Sequence, residues 1–553
     1  MQPRWTRGAK NAVGTAYSTS SRLWYTLASG CITEVYYPTI DSPQSRDLQY
    51  LVTDGATFLH DERRHMTTDL DCVAEAALGF QVTNRDPEKR YSIKKIVIGD
   101  PHQSCLLVHT VFSARPDLED SLRLYVLCAP HLEIGGWHNH AEVRVAKGRT
   151  ILVAHKGGTW LALAATLPFS KASCGFVGAS DGWTDLAANY AMDCQYDFAA
   201  DGNIALTGEL DLSRSQAFTL GLAFGTSLHD AVSCLLQALS RPFQESLCTF
   251  RSKWQRTSKR YGLMQKLKCA DSKLFERSVN LLLAHEDKSY PGAMIASLSI
   301  PWGEEKGDEE LGGYHLVWTR DLVQCATALM AVGDTSTPLR ALIYLAVSQK
   351  EDGGFHQNSW IDGRPYWNGA QLDEVSFPII LAWRLRQQQA LQNFDPYAMV
   401  VSACKYLILH GPRTEQDRWE EAGGYSPYTL ATNIAALLCA ADFLDVRCDR
   451  ATADFVREYA DFLESHIDRW TVTASGTLVP GVRRHFIRIN PALGAVAWND
   501  DLESASLTLA NQAPDSRFKY PAKEIVGCRF PATGPLWRPA GKRFTDRGFP
   551  GGD

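Results

Sequence analysis

The stretch Phe218-Thr219-Leu220-Gly221-Leu222-Ala223-Phe224-Gly225-Thr226 marks the point where the chain changes texture. It is short, apolar on both faces and closed by glycine, as a buried strand is. Upstream, similar runs recur between Gly, Pro, Asp and Asn: Leu106 to Phe112, Leu122 to Leu127 and Trp160 to Ala164. Many such strands separated by turn signals predict a β-sandwich over residues 1–226. Residues 227–270 read as a charged helical linker. From 271 the apolar period is that of a helix, beginning with Leu274, Phe275, Val279, Leu282 and Leu283 and returning near 321–332, 338–350, 375–391, 396–410, 428–446 and 451–467. Thr337-Pro338 and Asp395-Pro396 read as an N-cap followed by Pro at the first helical position, and Gly333 and Gly411 as C-terminal glycines. The fold class is multidomain, β followed by all-α. No strict repeat is visible, so a toroid of helical hairpins fits better than a short-period solenoid.

At 553 residues and 45% hydrophobic content the chain has enough apolar mass for large buried cores. Its net charge of −6, with 21% charged residues scattered along the chain, gives no footprint for nucleic acid or an anionic membrane. A neutral or weakly polar partner suits it better. Fifteen Trp, 20 Tyr and 22 Phe supply the flat rings that hold sugar faces, although most rings belong to cores. The 14 Cys include no C-x-x-C pair or zinc spacing, so neither a metal site nor a disulfide framework is expected, and no cofactor. Met1 to Arg7 has no apolar leader core and no run of 18 apolar residues occurs, so the expectation is a cytoplasmic protein, or a secreted or periplasmic one if a leader preceded it.

Three clusters carry chemistry: Gly313 to Asp321, Trp360 to Glu374, and Arg418 to Tyr428. All fall between helices, where a scaffold positions sites. Taken alone, Trp318-Thr319-Arg320-Asp321 has a plain structural explanation, an acid opposing a helix dipole and an arginine paired to a carboxylate. The same residues can bind sugar hydroxyls as a fixed donor and acceptor pair walled by Trp318. Glu420-Glu421 can be a solvated pair. It can also be the place where an adjacent carboxylate and apolar Trp419 keep one carboxyl protonated, as glycoside cleavage needs. Trp367 and Asp373 read equally as a core ring and a helix cap.

Together, in order, these clusters resemble glycoside hydrolase family 15, in the bacterial branch of glucoamylases and glucodextranases. The resemblance runs from Glu34-Val35-Tyr36-Tyr37-Pro38 and Val52-Thr53-Asp54-Gly55 to about Val526. It implies a supersandwich followed by an (α/α)6 barrel, and an inverting exo-α-glucosidase acting on α-glucan or maltooligosaccharide. It makes Glu420 the general acid, with Glu421 beside it on the sugar and Trp419 in the same wall. Arg320 and Asp321 become binders of the terminal glucose, lined by Tyr314 and Trp318. Trp367 lies against the sugar, and Gln371 and Asp373 support the acid. Glucodextranase and trehalase specificities, or sugar binding without turnover, stay open.

An inverting site needs a second carboxylate about 6.5–9.5 Å from the first. The family carries it near the end of the barrel, and the expectation is that residues 271–526 form an incomplete barrel that stops short of it. The tail Gly527 to Asp553 has no helical period. Permitted codons for it, read one nucleotide later, encode a helix-like stretch similar to the family's, so a frameshift near codon 527 is expected, with weak stability and little or no hydrolysis. Normal turnover would move the base to Asp373, Asp500, Asp501 or Glu503. Sequencing the gene beyond codon 527 should find a helical, Glu-bearing continuation in an alternative frame; none in either frame rejects the shift.

Overall fold

The computed structural model describes residues 2–260, 272–298, 307–477 and 480–491. Asp500, Asp501, Glu503, the expected last part of the barrel and the tail 527–553 lie outside the described residues. The chain divides into two compact units between Leu316 and Val317.

The first unit contains an eight-stranded and a nine-stranded sheet. In the smaller sheet Arg123–Pro130 lies between Pro43–Thr53 and Ile204–Leu210, all antiparallel. In the larger, Ala217–Gly225 lies between Thr159–Ala165 and Cys105–Ala114. Strand alternation sends Leu161, Leu163, Leu220 and Leu222 into one core, where they meet Val52, Leu124 and Val126 of the other sheet. This is the expected sandwich.

The opposite face of the larger sheet is also covered. Ala162, Ala164 and Ala223 point there, against Ala231, Leu235 and Ala238 of α3 (Leu228–Ser240) and Leu247, Phe250 and Trp254 of α4 (Phe243–Arg260). Two shorter helices, α1 (Glu62–His65) and α2 (Gly182–Asn189), come earlier in the chain. The side chains facing α3 are small because the helix packs close: a Cβ on Gly221 would stand 2.7 Å from Leu235 Cδ1. Burial on both faces explains why these strands read as continuous apolar runs rather than alternating ones.

Residues 228–260, expected as a linker, are therefore a third layer. The helix α5 (Ser272–Ala284), expected to open the second domain, makes contacts within the first compact unit. Asn280 Nδ2 donates to Ala76 O at 2.6 Å, and Trp24 Nε1 donates to Ala284 O at 2.9 Å. Helical period alone does not say which core a helix will cover.

The second unit contains α6 (Thr319–Ala331), α7 (Ser336–Ser348), α8 (Leu372–Gln387), α9 (Tyr397–His410), α10 (Pro427–Val446) and α11 (Arg450–Thr471). α6 packs on α8 and α8 on α10, while α7, α9 and α11 lie against these. Three inner and outer pairs of an (α/α) barrel are thus present among the described residues. α8 is buried from Leu372 through Leu385, as an inner helix must be. α10 is long and apolar enough to cross a membrane, but 78% of that window is buried inside the protein, and it is a core helix. α11 buries only one stripe, Ala453, Val456, Ala460, Leu463 and Ile467.

Helix starts differ slightly from expectation. Asp334 Oδ1 accepts from Ser336 N and Thr337 N, so α7 begins before Pro338, which falls third in the helix. Pro is tolerated throughout a first turn, whose N–H groups have no intrahelical partner. α9 begins at Tyr397, whose N–H bonds Asp395 Oδ1 at 3.1 Å, and Pro396 precedes it. Gly333, at φ 94°, closes α6, and Gly411 closes α9.

Ala223→Leu should overpack the layer between sheet and α3 and destabilise the first unit by about 1–3 kcal/mol. Urea unfolding measures this; an unchanged midpoint would show that the helix does not bear on the sheet there.

Candidate active site

Because inner helices follow one another around a toroid in the same direction, the N-terminal ends of α6, α8 and α10 come to one side. The segments that enter them carry the three sequence clusters. Val317 pairs with Ser359 through two backbone hydrogen bonds, 2.9 and 3.0 Å, which ties the start of α6 to the loop before α8. Trp318 caps α6, its carbonyl accepting from Leu322 N at 3.0 Å. The short strand Pro365–Trp367 pairs with Asn358–Ser359, and Asn358 Oδ1 accepts from Trp367 N at 2.8 Å. This presents the Trp367 ring, 39% exposed, at 6.2 Å and 71° to the buried Trp318 ring.

The loop 411–426 is closed by Thr414 and Gly424, which exchange two backbone bonds of 2.9 Å. Gly424 has φ 148°, and a Cβ there would lie 2.1 Å from Asn490 O, so only glycine fits. Within the loop, Asp417 N donates to Ala422 O at 2.8 Å, Glu420 N to Asp417 O at 2.8 Å, and Glu421 N to Asp417 Oδ1 at 3.2 Å. These bonds hold Glu420 at φ 64°, a left-handed conformation that a side chain adopts at a cost of about 1–3 kcal/mol.

The side chains then converge. Glu420 Oε1 accepts from Trp318 Nε1 at 2.7 Å and from Gln371 Nε2 at 3.3 Å. Arg320 Nη1 donates to Gln371 Oε1 at 2.7 Å and to Asp373 Oδ2 at 2.9 Å. The same guanidinium lies 3.7 Å from Asp321. Gln371 and Asp373 are buried. Burial pushes the Asp373 and Asp321 carboxyls above the usual range, with Arg320 opposing. Burial also works against the Arg320 charge, but the acids facing it, with Asp373 in direct hydrogen bond, outweigh it and hold the guanidinium firmly protonated.

Four of the expected site residues lie in surroundings that the sequence did not show. Trp419 is 58% exposed, under the Arg418 guanidinium at 5.0 Å, and does not form an apolar wall around Glu420. Trp318 is the buried ring that touches the acid. Glu421 is turned to Arg488, with which it forms an ion pair, while Arg488 Nε also lies 3.3 Å from Asp417 Oδ2. Tyr314 falls in the first unit: it is 53% exposed, and its carbonyl accepts from Ser297 N at 2.8 Å. Asp373, the fallback base, is wholly buried and bonded to Arg320.

Asp417 and Arg488 are the contributors that motif reading missed. Asp417 stands four residues before Glu421, whose N–H its side chain accepts, so the signal was an acid within local reach of the pair. Arg488 stands 67 residues from its partner and has no local signal.

A carboxyl positioned by an indole and an amide, beside a guanidinium, further carboxylates and part-exposed tryptophans, is the site of a glycoside hydrolase. Residues 1–258 match the family model of glucodextranase domain N, and residues 271–523 that of glycosyl hydrolases family 15. A glucoamylase of Clostridium sp. (strain G0005) is 37% identical over 486 residues, 88% of this chain and 68% of that protein. An uncharacterised glycosyl hydrolase of Methanocaldococcus jannaschii is 27% identical over 134 residues, 23% of this chain and 21% of that one. Among solved structures, a bacterial glucoamylase complexed with acarbose superposes with TM-score 0.84 at 36% identity, covering 88% of this chain and 71% of that one. The chain belongs to glycosyl hydrolase family 15, and its activity class is that of a glucoamylase-type glucosidase.

Arg320→Met removes the cation from buried Asp373 and should cost about 3–5 kcal/mol near neutral pH. The penalty should shrink as pH falls, and most of it should be gone below the ordinary carboxyl range, where Asp373 is protonated in folded and unfolded chains alike. Thermal unfolding across pH tests this; a penalty independent of pH would mean that the pair is not ionic.

Proposed function

We propose that the site of this protein is built to release the terminal non-reducing glucose from α-linked glucans or maltooligosaccharides, with inversion, and that Glu420 is its general acid. The observation that carries this reading is the double hold on Glu420 Oε1 by Trp318 and Gln371, which orients the carboxyl and leaves Oε2 outside these bonds. Glu420 gives its proton to the glycosidic oxygen as the bond breaks, and the carboxylate that results keeps both N–H donors. Arg320, committed to Gln371 and Asp373, retains further N–H groups for sugar hydroxyls, and Asp321 supplies acceptors beside them. Trp367 offers a ring face to the sugar. Water attacking the opposite face needs a second carboxylate about 6.5–9.5 Å away, and Asp373 does not fill that role.

Glu420→Gln keeps the hydrogen-bond shape but has no proton to give at neutral pH. Glucose release from maltotriose should fall by about 10²- to 10⁴-fold, and the first glucose seen by NMR with the unsubstituted protein should be the β anomer. Unchanged release by the variant would remove Glu420 from the acid role, and α-glucose would reject inversion.

A further inference from the structure

Glu374, in the first turn of α8, is the one acid in this cluster to which the proposed mechanism gives no task. It is 1% exposed, and neither carboxyl oxygen has a hydrogen-bond donor among the described residues. Its nearest cation is Arg320, whose Nη2 lies 3.7 Å from Oε1, beyond hydrogen-bond reach. A buried carboxylate without donors is expensive, whereas a neutral carboxylic acid is much less so. Its surroundings point the same way. Asp321 from α6, Asp373 beside it and Glu420 from the loop before α10 all act on the same carboxyl, and Tyr428 of α10 senses Asp373 and Arg320 in turn. Burial first, then these acids, drive the Glu374 carboxyl well above the usual range against the pull of Arg320.

Resting on the site reading above, the geometry points to Glu374 as a positioning residue that backs the Arg320 guanidinium as an uncharged acid. In that state it fills the space behind Arg320 without competing for it. Arg320 Nη1 then remains on Gln371 and Asp373, and Gln371 keeps its amide N–H toward Glu420. An ionised Glu374 would draw Arg320 toward itself and off Gln371. Removal of the side chain would let the guanidinium swing into the gap.

The test is maltotriose binding to the full-length chain, read as the tryptophan fluorescence change on rapid mixing, before any hydrolysis, from mildly acidic to alkaline pH. Glu374→Gln, neutral and of the same shape, should bind as the unsubstituted protein does at neutral pH. It should also lack the weakening that the unsubstituted protein shows when Glu374 ionises on the alkaline side. Glu374→Ala should bind about tenfold or more weakly at every pH. A Glu374→Gln variant as weak as Glu374→Ala would mean that the charge is needed, and wild-type binding by Glu374→Ala would mean that the group does nothing; either overturns the proposal. Trp367→Ala, at a part-exposed ring, is the separate control: undiminished binding there would overturn the site reading itself.

Discussion

The guanidinium of Arg320 sits where its charge is least welcome. It leaves the first turn of α6, the positive end of that helix dipole, and it is buried. It is stable there because the first turn of α8 brings Asp373 to 2.9 Å and Gln371, the residue before that helix, accepts from it at 2.7 Å. The acids in turn oppose the dipole of α8, so two inner helices are joined end to end by groups each would otherwise leave unpaired. Everything in the site hangs from this junction. Arg320 occupies the Gln371 oxygen, the Gln371 nitrogen must then face Glu420, and Trp318 completes the hold.

The same logic explains where strain is tolerated. Glu420 lies in a left-handed conformation within a loop whose backbone is closed at both edges, by Thr414 with Gly424 and by Tyr425 with Asn490. A loop so heavily bonded can carry an unfavourable residue, and the return is a carboxyl aimed before substrate arrives. Arg488 and Asp417 keep Glu421 on a separate partner, so adjacent acids in sequence have different jobs in space.

The first unit follows a different constraint. Its larger sheet must serve two cores at once, and the alternation of Leu161, Ala162, Leu163 and Ala164 divides the work: large side chains toward the other sheet, small ones toward α3 and α4. That pattern was visible as an apolar run. Its two-sidedness was not, because both faces of a doubly buried strand read as hydrophobic.

The amino-acid sequence by itself determined the order of the architecture and the six described helices of the second unit, because periodicity and turn chemistry are local. It also held the motifs that place the chain in its family. The surface a helix covers was not local: α5 opens the stretch that matches glycosyl hydrolases family 15, yet its bonds run to Ala76 and Trp24. Nor were the partners of the acids. Glu421 neighbours Glu420 in sequence but pairs with Arg488, and the ring against Glu420 is Trp318, 102 residues away, rather than adjacent Trp419. Sequence states which groups are present; which of them meet depends on where packing brings the ends of the inner helices.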